Sequence, residues 1–170
     1  MPTSYQPPPQ DGPKQDSKSQ TVSLSTKNPT VADVLSVKGA GVFSISPDAT
    51  LHNAVEQLRD RQIGALLVTD GQGALVGILS ERDIVRRLAE TPGQTLPQTV
   101  RSIMTEKVET CAPSDSTVLA LKRMTAGRYR HMPVVDQGKL LGMVTIGDVI
   151  NHRLTQLERE ALQLKQLIVG

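Results

Sequence analysis

Aromatic residues are nearly missing from this chain of 170 residues: they make up 2%, with no Trp and a single Phe, Phe43. Its core must be built from Leu, Ile, Val, Ala and Met, and no surface is available for stacking the bases of single-stranded nucleic acid. One cysteine, Cys111, excludes an internal disulfide and a Cys-rich zinc site. In its apolar-to-mixed surroundings it reads as a small packing residue rather than a nucleophile. An excess of one charge is also lacking: 19 Lys and Arg face 17 Asp and Glu, for a net charge of +2, without a basic stripe. Nucleic-acid binding through phosphate neutralisation is therefore not expected. No apolar run approaches the ~18 residues of a membrane span. No apolar segment near Met1 has the form of a signal peptide, and residues 1–29 hold no Arg, as a transit peptide would. The expected compartment is the cytoplasm.

A catalytic set is missing too. His52, His131 and His152 stand alone, without Cys or carboxylate at metal-ligand spacing. There is no G-x-S-x-G elbow and no Walker-type loop. Gly71-Gln72-Gly73 followed by Gly77 has the wrong spacing for a dinucleotide fingerprint and joins strand to strand. No enzyme activity, required cofactor or metal is expected.

What the chain does contain is a duplication. Met132 to Ile150, MPVVDQGKLLGMVTIGDVI, reads as an apolar strand, a tight turn at Gln137-Gly138, a second strand, and a polar step, Thr145-Ile146-Gly147-Asp148, that opens a helix. Leu66 to Val85, LLVTDGQGALVGILSERDIV, repeats the design with Ser80-Glu81-Arg82-Asp83 as its step. The register from Pro47 to Asp70 equals that from Pro113 to Asp136 without a gap, and after one dropped residue Gly77 to Asp83 matches Gly142 to Asp148. Helices are predicted over Thr50 to Arg61, with Leu51, Ala54, Val55 and Leu58 inward, and over Ser116 to Gly127, with Val118, Ala120, Leu121 and Met124 inward. Short extended pieces, 41–45 and 108–111, precede them, and short helices, Val31 to Ser36 and Val100 to Met104, open each half behind Thr30 and Thr99.

The order in each half is strand, helix, strand, strand, helix. Two such units of ~55 residues are each too small to bury much alone and should pack as one pseudo-symmetric α/β (α+β) body through their sheets. The expected organisation is a disordered Pro/Gln/Ser-rich tail over 1–29, repeat 1 over 30–89, a Pro- and Gly-bearing linker over 90–98, repeat 2 over 99–153 and a helical extension over 154–170. In that last helix Ile150, Leu154, Leu157, Ala161, Leu164 and Ile168 are spaced 4, 3, 4, 3, 4, an a/d seam. It either docks back on its own domain or pairs between subunits.

Each polar step places a hydroxyl three residues before an Asp. That pattern is a helix cap, or a ligand site where hydroxyl, backbone amide and carboxylate meet at a helix N-terminus. Arg128-Tyr129-Arg130-His131 at the next strand entrance could hold phosphate oxygens through paired, charge-assisted bonds or be a solvated loop. The equivalent Gln62-Ile63-Gly64-Ala65 is uncharged.

These residues carry a family resemblance. VADVL with VRSIM, IGALLVTD with RHMPVVD, and GILSERDI with GMVTIGDV resemble CBS domains, so that residues 30–153 look like a tandem CBS pair, or Bateman module, of the stand-alone bacterial type. The resemblance implies a non-enzymatic sensor, acting as a homodimer, that binds adenine nucleotides (AMP, ADP, ATP or NADH) in clefts between the repeats and signals to an unidentified regulated protein. It implies two sites. The first would use Thr145, Gly147 and Asp148 with Ile63, Gly64, Ala65 and Ser36. The second would use Ser80, Arg82 and Asp83 with Tyr129, Arg130, His131 and Thr105. The alternative is an interaction scaffold with vestigial pockets, working through its C-terminal helix or tail.

Overall fold

The computed structural model describes residues 28–39 and 41–169. Apart from Asn28 and Pro29, the expected tail, including its Pro7–Pro9 run, lies outside the described residues. Chain order is α1 (Val31–Lys38), β1 (Ser44–Ile45), α2 (Leu51–Arg61), β2 (Ala65–Thr69), β3 (Leu75–Ser80), α3 (Glu81–Glu90), a 3-10 turn (Val100–Ser102), α4 (Thr117–Gly127), β4 (His131–Asp136), β5 (Lys139–Thr145) and α5 (Ile146–Val169).

The duplication is physical. β2 and β3 form one antiparallel hairpin, β4 and β5 the other, and each ladder slips at the same place, after Val68 and after Val134. Gln137 and Gly138 both have positive φ, 48° and 77°, the geometry of a two-residue hairpin turn. The longer first turn is held by Asp70, whose Oδ1 accepts from the amides of Gln72 and Ala74 at 2.9 Å. α2 and α4 start at the hydroxyl caps Thr50 and Ser116 and end on Gln62 and Arg128, both in the left-handed conformation.

The halves differ in their first strand. β1 pairs in parallel with β2 through Ser44 and Ile45, whereas 108–111 forms only the bridge between Cys111 and Val134. The short helix expected over Val100 to Met104 is a 3-10 turn, and Thr99 makes no side-chain cap. α1 runs two residues beyond Ser36, to Lys38. On α4 the inward register is Thr117, Ala120 and Met124, with Leu121 at the margin; Val118 and, on α2, Val55, both expected inward, are exposed.

Sequence order and packing order cross over. Val31 and Val34 of α1 are buried with Cys111, Ala120, Met124, Met132, Val134, Val144 and Val149, in the core of the second half. Val100, Ile103 and Met104 pack with Ile45, Leu51, Ala54, Leu58, Leu66, Val68, Leu79 and Ile84, in the core of the first. Equivalent glycines make room for the crossing segments. A Cβ on Gly77 would lie 2.8 Å from Met104 Sδ, and one on Gly142 would lie 3.2 Å from Leu35 Cδ2. Each half therefore completes the other's core, and both cores are aliphatic. Truncating a fully buried member such as Leu79 or Met132 to Ala should cost about 2–5 kcal/mol.

The 90–98 connection is docked. Thr95 is buried, its hydroxyl donating to the Thr91 carbonyl at 2.7 Å. The carbonyls of Leu96 and Gln98 accept from the amides of His52 and Leu51 at the start of α2. Those amides have no partner inside their own helix.

Candidate functional site

The crossover sets the strand-to-helix step of one half against the strand entrance of the other. Thr105 is fixed to β3 by two backbone bonds, Ile78 N to Thr105 O at 3.0 Å and Thr105 N to Ile78 O at 2.9 Å. Gly64 O accepts from Glu81 N at 3.0 Å, and Arg130 O from Ile146 N at 3.1 Å, so each strand entrance is tied to the helix that follows in its own half. Across the gap, a Cβ on Gly64 would sit 3.3 Å from His131 Nε2. Between these edges lies a cleft of about 1050 Å³, at the upper end of small-molecule sites.

Ser80, Arg82, Asp83, Thr105, Tyr129, Arg130 and His131 all line this cleft, and so do Gly64, Thr145 and Gly147. Asp148, Ile63, Ala65 and Ser36 do not. Ala65 is fully buried and Ile63 packs at the margin of the first core. The Ser36 hydroxyl is spent on the Asp33 carbonyl of its own helix, at 2.7 Å. Asp148 lines a smaller groove of about 320 Å³ between α1 and α5.

Both polar steps are helix caps. Asp83 Oδ2 accepts from Ser80 N at 2.9 Å and Ser80 Oγ at 2.6 Å. Asp148 Oδ2 accepts from Thr145 N at 2.9 Å, while the Thr145 hydroxyl accepts from Asp148 N at 3.1 Å. What separates the steps is Lys38, at the end of α1. Its ammonium reaches Asp148 Oδ2 at 2.6 Å and the Met143 carbonyl at 3.0 Å. Asp83 has no such cation among the described residues. The pairing of Lys38 with Asp148 spans 110 positions of sequence, and no local pattern announces it.

The cleft is cationic. Arg82, Arg86, Lys107, Arg128 and Arg130 line it, against Glu81, Asp83 and Glu109. Arg82 Nη1 donates to the Arg128 carbonyl at 3.3 Å, bridging the halves. Arg86 and Lys107 were not among the expected site residues. The signal for Arg86 was its place one helical turn after Arg82; Lys107 had none beyond its nearness to Thr105. Tyr129 covers Gly127 so closely that a Cβ there would collide with its ring at Cε1 and Cδ1.

Burial, with the neighbouring Lys38 ammonium second, holds the His131 imidazole below its ordinary range; Asp148 opposes the shift, and Arg130 and Arg82 add to it. Burial pushes the Tyr129 hydroxyl up. It also pushes the Cys111 thiol up to about 11, and that thiol faces the Pro133 carbonyl in the second core. Such a thiol is a packing group. Among the described residues no cluster of three or more His, Cys, Asp or Glu could hold a metal ion. No helix among them is long and apolar enough to cross a membrane.

Two hairpin-bearing repeats that exchange core segments and enclose a cationic cleft between them define a regulatory ligand-binding pair. The family model of the CBS domain matches residues 30–90 and 100–155, and the chain belongs to the CBS-domain family as a tandem pair. It is 33% identical over 149 residues to the CBS domain-containing protein CBSX3, mitochondrial, of Arabidopsis thaliana, covering 83% of this chain and 72% of that protein. Of longer plant proteins of the family, such as CBSCBSPB1, it spans about a quarter of the length or less. Among solved structures, the CBS-domain containing protein ATU1752 from Agrobacterium tumefaciens superimposes with a TM-score of 0.73 at 37% identity, covering 76% of this chain and 96% of that one. The CBS domain pair of protein MJ0100 superimposes with a TM-score of 0.67 at 26% identity, covering 75% of this chain and 98% of that one. That structure is a complex with 5′-methylthioadenosine and S-adenosyl-L-methionine.

Proposed function

We propose that this CBS pair is a sensor of adenine nucleotides, of the class AMP, ADP, ATP or NADH, and that it binds them in the cleft between its halves. The observation that carries the reading is the arrangement around Asp83. One carboxylate oxygen, Oδ2, is committed to the cap. The other carries no hydrogen bond from the described residues, and Asp83 lines a cleft that it shares with five Arg and Lys side chains. A carboxylate in that position accepts from ribose hydroxyls, and the Arg and Lys side chains, with the amide end of α3, hold phosphates. The uncharged entrance at Gly64 and the apolar edge of Ile78 suit the flat faces of an adenine ring. The adenosine moieties bound by the MJ0100 pair support the ligand class. The cleft volume leaves room for a dinucleotide.

Asp148 does not share this role. It lines the small groove between α1 and α5, where Lys38 shares its capping oxygen Oδ2, so the proposed site relies on Ser80, Arg82, Asp83, Thr105, Tyr129, Arg130 and His131, with Gly64, Thr145 and Gly147 completing the far wall. Ile63 and Ala65 pack behind the Gly64 wall, whereas Ser36, exposed on α1, has no part in the proposed site.

Signalling follows from binding that favours one arrangement of the two halves over another. The response is passed through a homodimer to a regulated protein in the cytoplasm. No catalytic step and no required cofactor is part of this proposal.

Thermal unfolding with AMP, ATP or NADH tests it. A ligand at about 100 times its dissociation constant should add about 2.7 kcal/mol of stability and raise the Tm by several degrees. An unmoved Tm with all three would leave the scaffold alternative, which predicts that deleting residues 155–170 abolishes partner capture while nucleotide does nothing.

A further inference from the structure

The C-terminal helix is turned inside out. The side of α5 that lies against α1 carries Asn151, His152, Thr155, Gln156 and Arg159, a polar face around the small groove. Beside α1 the seam points away from the body, Leu154 being 53% exposed and Leu157 44%, and from Ala161 to Ile168 the whole helix is exposed, so Ala161, Leu164 and Ile168 have no body to cover them. An amphipathic helix docked on its own domain does the reverse. The seam does not dock back, and something else must cover it.

The charges flanking the seam say what covers it. With Leu154, Ala161 and Ile168 at a and Ile150, Leu157 and Leu164 at d, the g positions are Arg153, Glu160 and Leu167 and the e positions Asn151, Glu158 and Lys165. In a parallel, in-register pair each g residue meets the e residue five positions further along the other helix. Arg153 then meets Glu158 of the partner subunit, and Glu160 meets Lys165 of the partner subunit. Both pairs are opposite in charge, and symmetry makes each of them twice. Full antiparallel overlap instead sets Glu158 and Glu160 against their own copies, which repels. Within the helix, Gln156 accepts from Arg153 at 3.0 Å and donates to Glu160 at 3.0 Å, holding both charged g side chains along one edge of the seam.

We propose that α5 pairs with α5 of a second copy of this chain as a parallel, in-register two-stranded coiled coil, about 27 Å long. It rests on the homodimer reading only for the presence of a second copy, and fixes which surface joins the copies and in which direction. The pairing sets the two nucleotide clefts on the same side of the dimer, at the N-terminal end of the seam.

The test uses the full chain carrying Cys111→Ala, so that one introduced thiol is the only one. In a parallel register Leu157→Cys faces its own copy, and mild oxidation should convert the chain to a covalent dimer at micromolar concentration. Leu162→Cys, off the seam, should not cross-link. Glu158→Arg sets like charges across the pair and should raise the dimer dissociation constant about tenfold or more by sedimentation, and Arg153→Glu with Glu158→Arg should restore it. A dimer that forms without a cross-link in the Leu157→Cys variant overturns the α5 pairing and leaves the homodimer reading standing. A chain that stays monomeric overturns both, whatever its response to nucleotide. Circular dichroism identical to that of the Cys111→Ala chain keeps each variant interpretable, since all the substituted positions on α5 are exposed.

Discussion

Ser80–Asp83 and Thr145–Asp148 are the same device placed twice, and they end in different states. Both cap the helix that follows their hairpin, with the same carboxylate oxygen accepting the same backbone amide. The carboxylate of one lines the cationic cleft; that of the other lies in the small groove, paired with Lys38, which reaches it from the far end of the chain. A duplicated motif therefore fixes local geometry but not its use, because use depends on which third group the tertiary fold delivers. Here α1, exchanged into the second half, delivers an ammonium to Asp148, while the 99–107 segment, whose start is exchanged into the first, delivers Thr105 and Lys107 to the Asp83 side.

The largest effect that separates the two steps is on ligand affinity. Asp83→Ala should weaken nucleotide binding by about tenfold or more, the worth of a charge-assisted hydrogen bond of roughly 1.5–3 kcal/mol. Asp148→Ala should change it by less than about threefold, since its carboxylate faces Lys38 rather than the cleft. Equal losses in a titration series would remove the distinction between the steps.

Next comes the wall of the cleft. A Cβ on Gly127 collides with the Tyr129 ring, and the helix-propensity gain of up to about 1 kcal/mol from Gly to Ala does not offset displacing a packed aromatic ring. Gly127→Ala should lower stability by about 1–3 kcal/mol in urea and weaken nucleotide binding as Tyr129 moves. Unchanged stability would mean that the ring turns aside freely.

Lys38→Ala removes the group that makes the halves unequal. The ion pair is partly exposed, so its loss should cost about 1 kcal/mol or less. The informative readout is stoichiometry: with Asp148 released, a second, weaker binding event should appear in calorimetry. A stoichiometry unchanged at every nucleotide concentration would show that more than Lys38 closes that step.

The smallest effect is on pH dependence. Burial and Lys38 hold His131 below its ordinary value of 6.5, so as pH falls through that value the unfolded chain takes up the proton first. The contribution is absent above 6.5 and becomes a loss of stability as pH falls from there toward the folded value. Urea midpoints at about pH 7.5 and about pH 5.5 should fall less with His131→Gln than in wild type. An identical fall in both would show that other groups dominate the slope.

Much of this was legible in the sequence because it is local. The hairpins, the turn at Gln137-Gly138, the hydroxyl caps of α2 and α4 and the basic entrance at Arg128–His131 follow from residue types at short spacing. What was not legible depends on partners distant along the chain. Nothing near Val31 or Val100 says that each packs in the opposite core, and nothing near Asp148 points to Lys38. Val118 fits an apolar spacing yet faces solvent, because Thr117 takes the inward place equivalent to Leu51. The extended piece at 108–111 has the composition of a strand, but it meets β4 at Cys111 alone. The α5 seam was visible as a pattern; that it faces outward was not, since a heptad does not state which side of a helix meets the body.

The most direct test of the account is a calorimetric titration of the wild-type chain and of Asp83→Ala with AMP, ATP and NADH. The account predicts a single saturable binding event in the wild type with at least one of the three, weakened about tenfold or more in the variant. No heat from any of them at saturating concentration, or binding that Asp83→Ala leaves untouched, would contradict it.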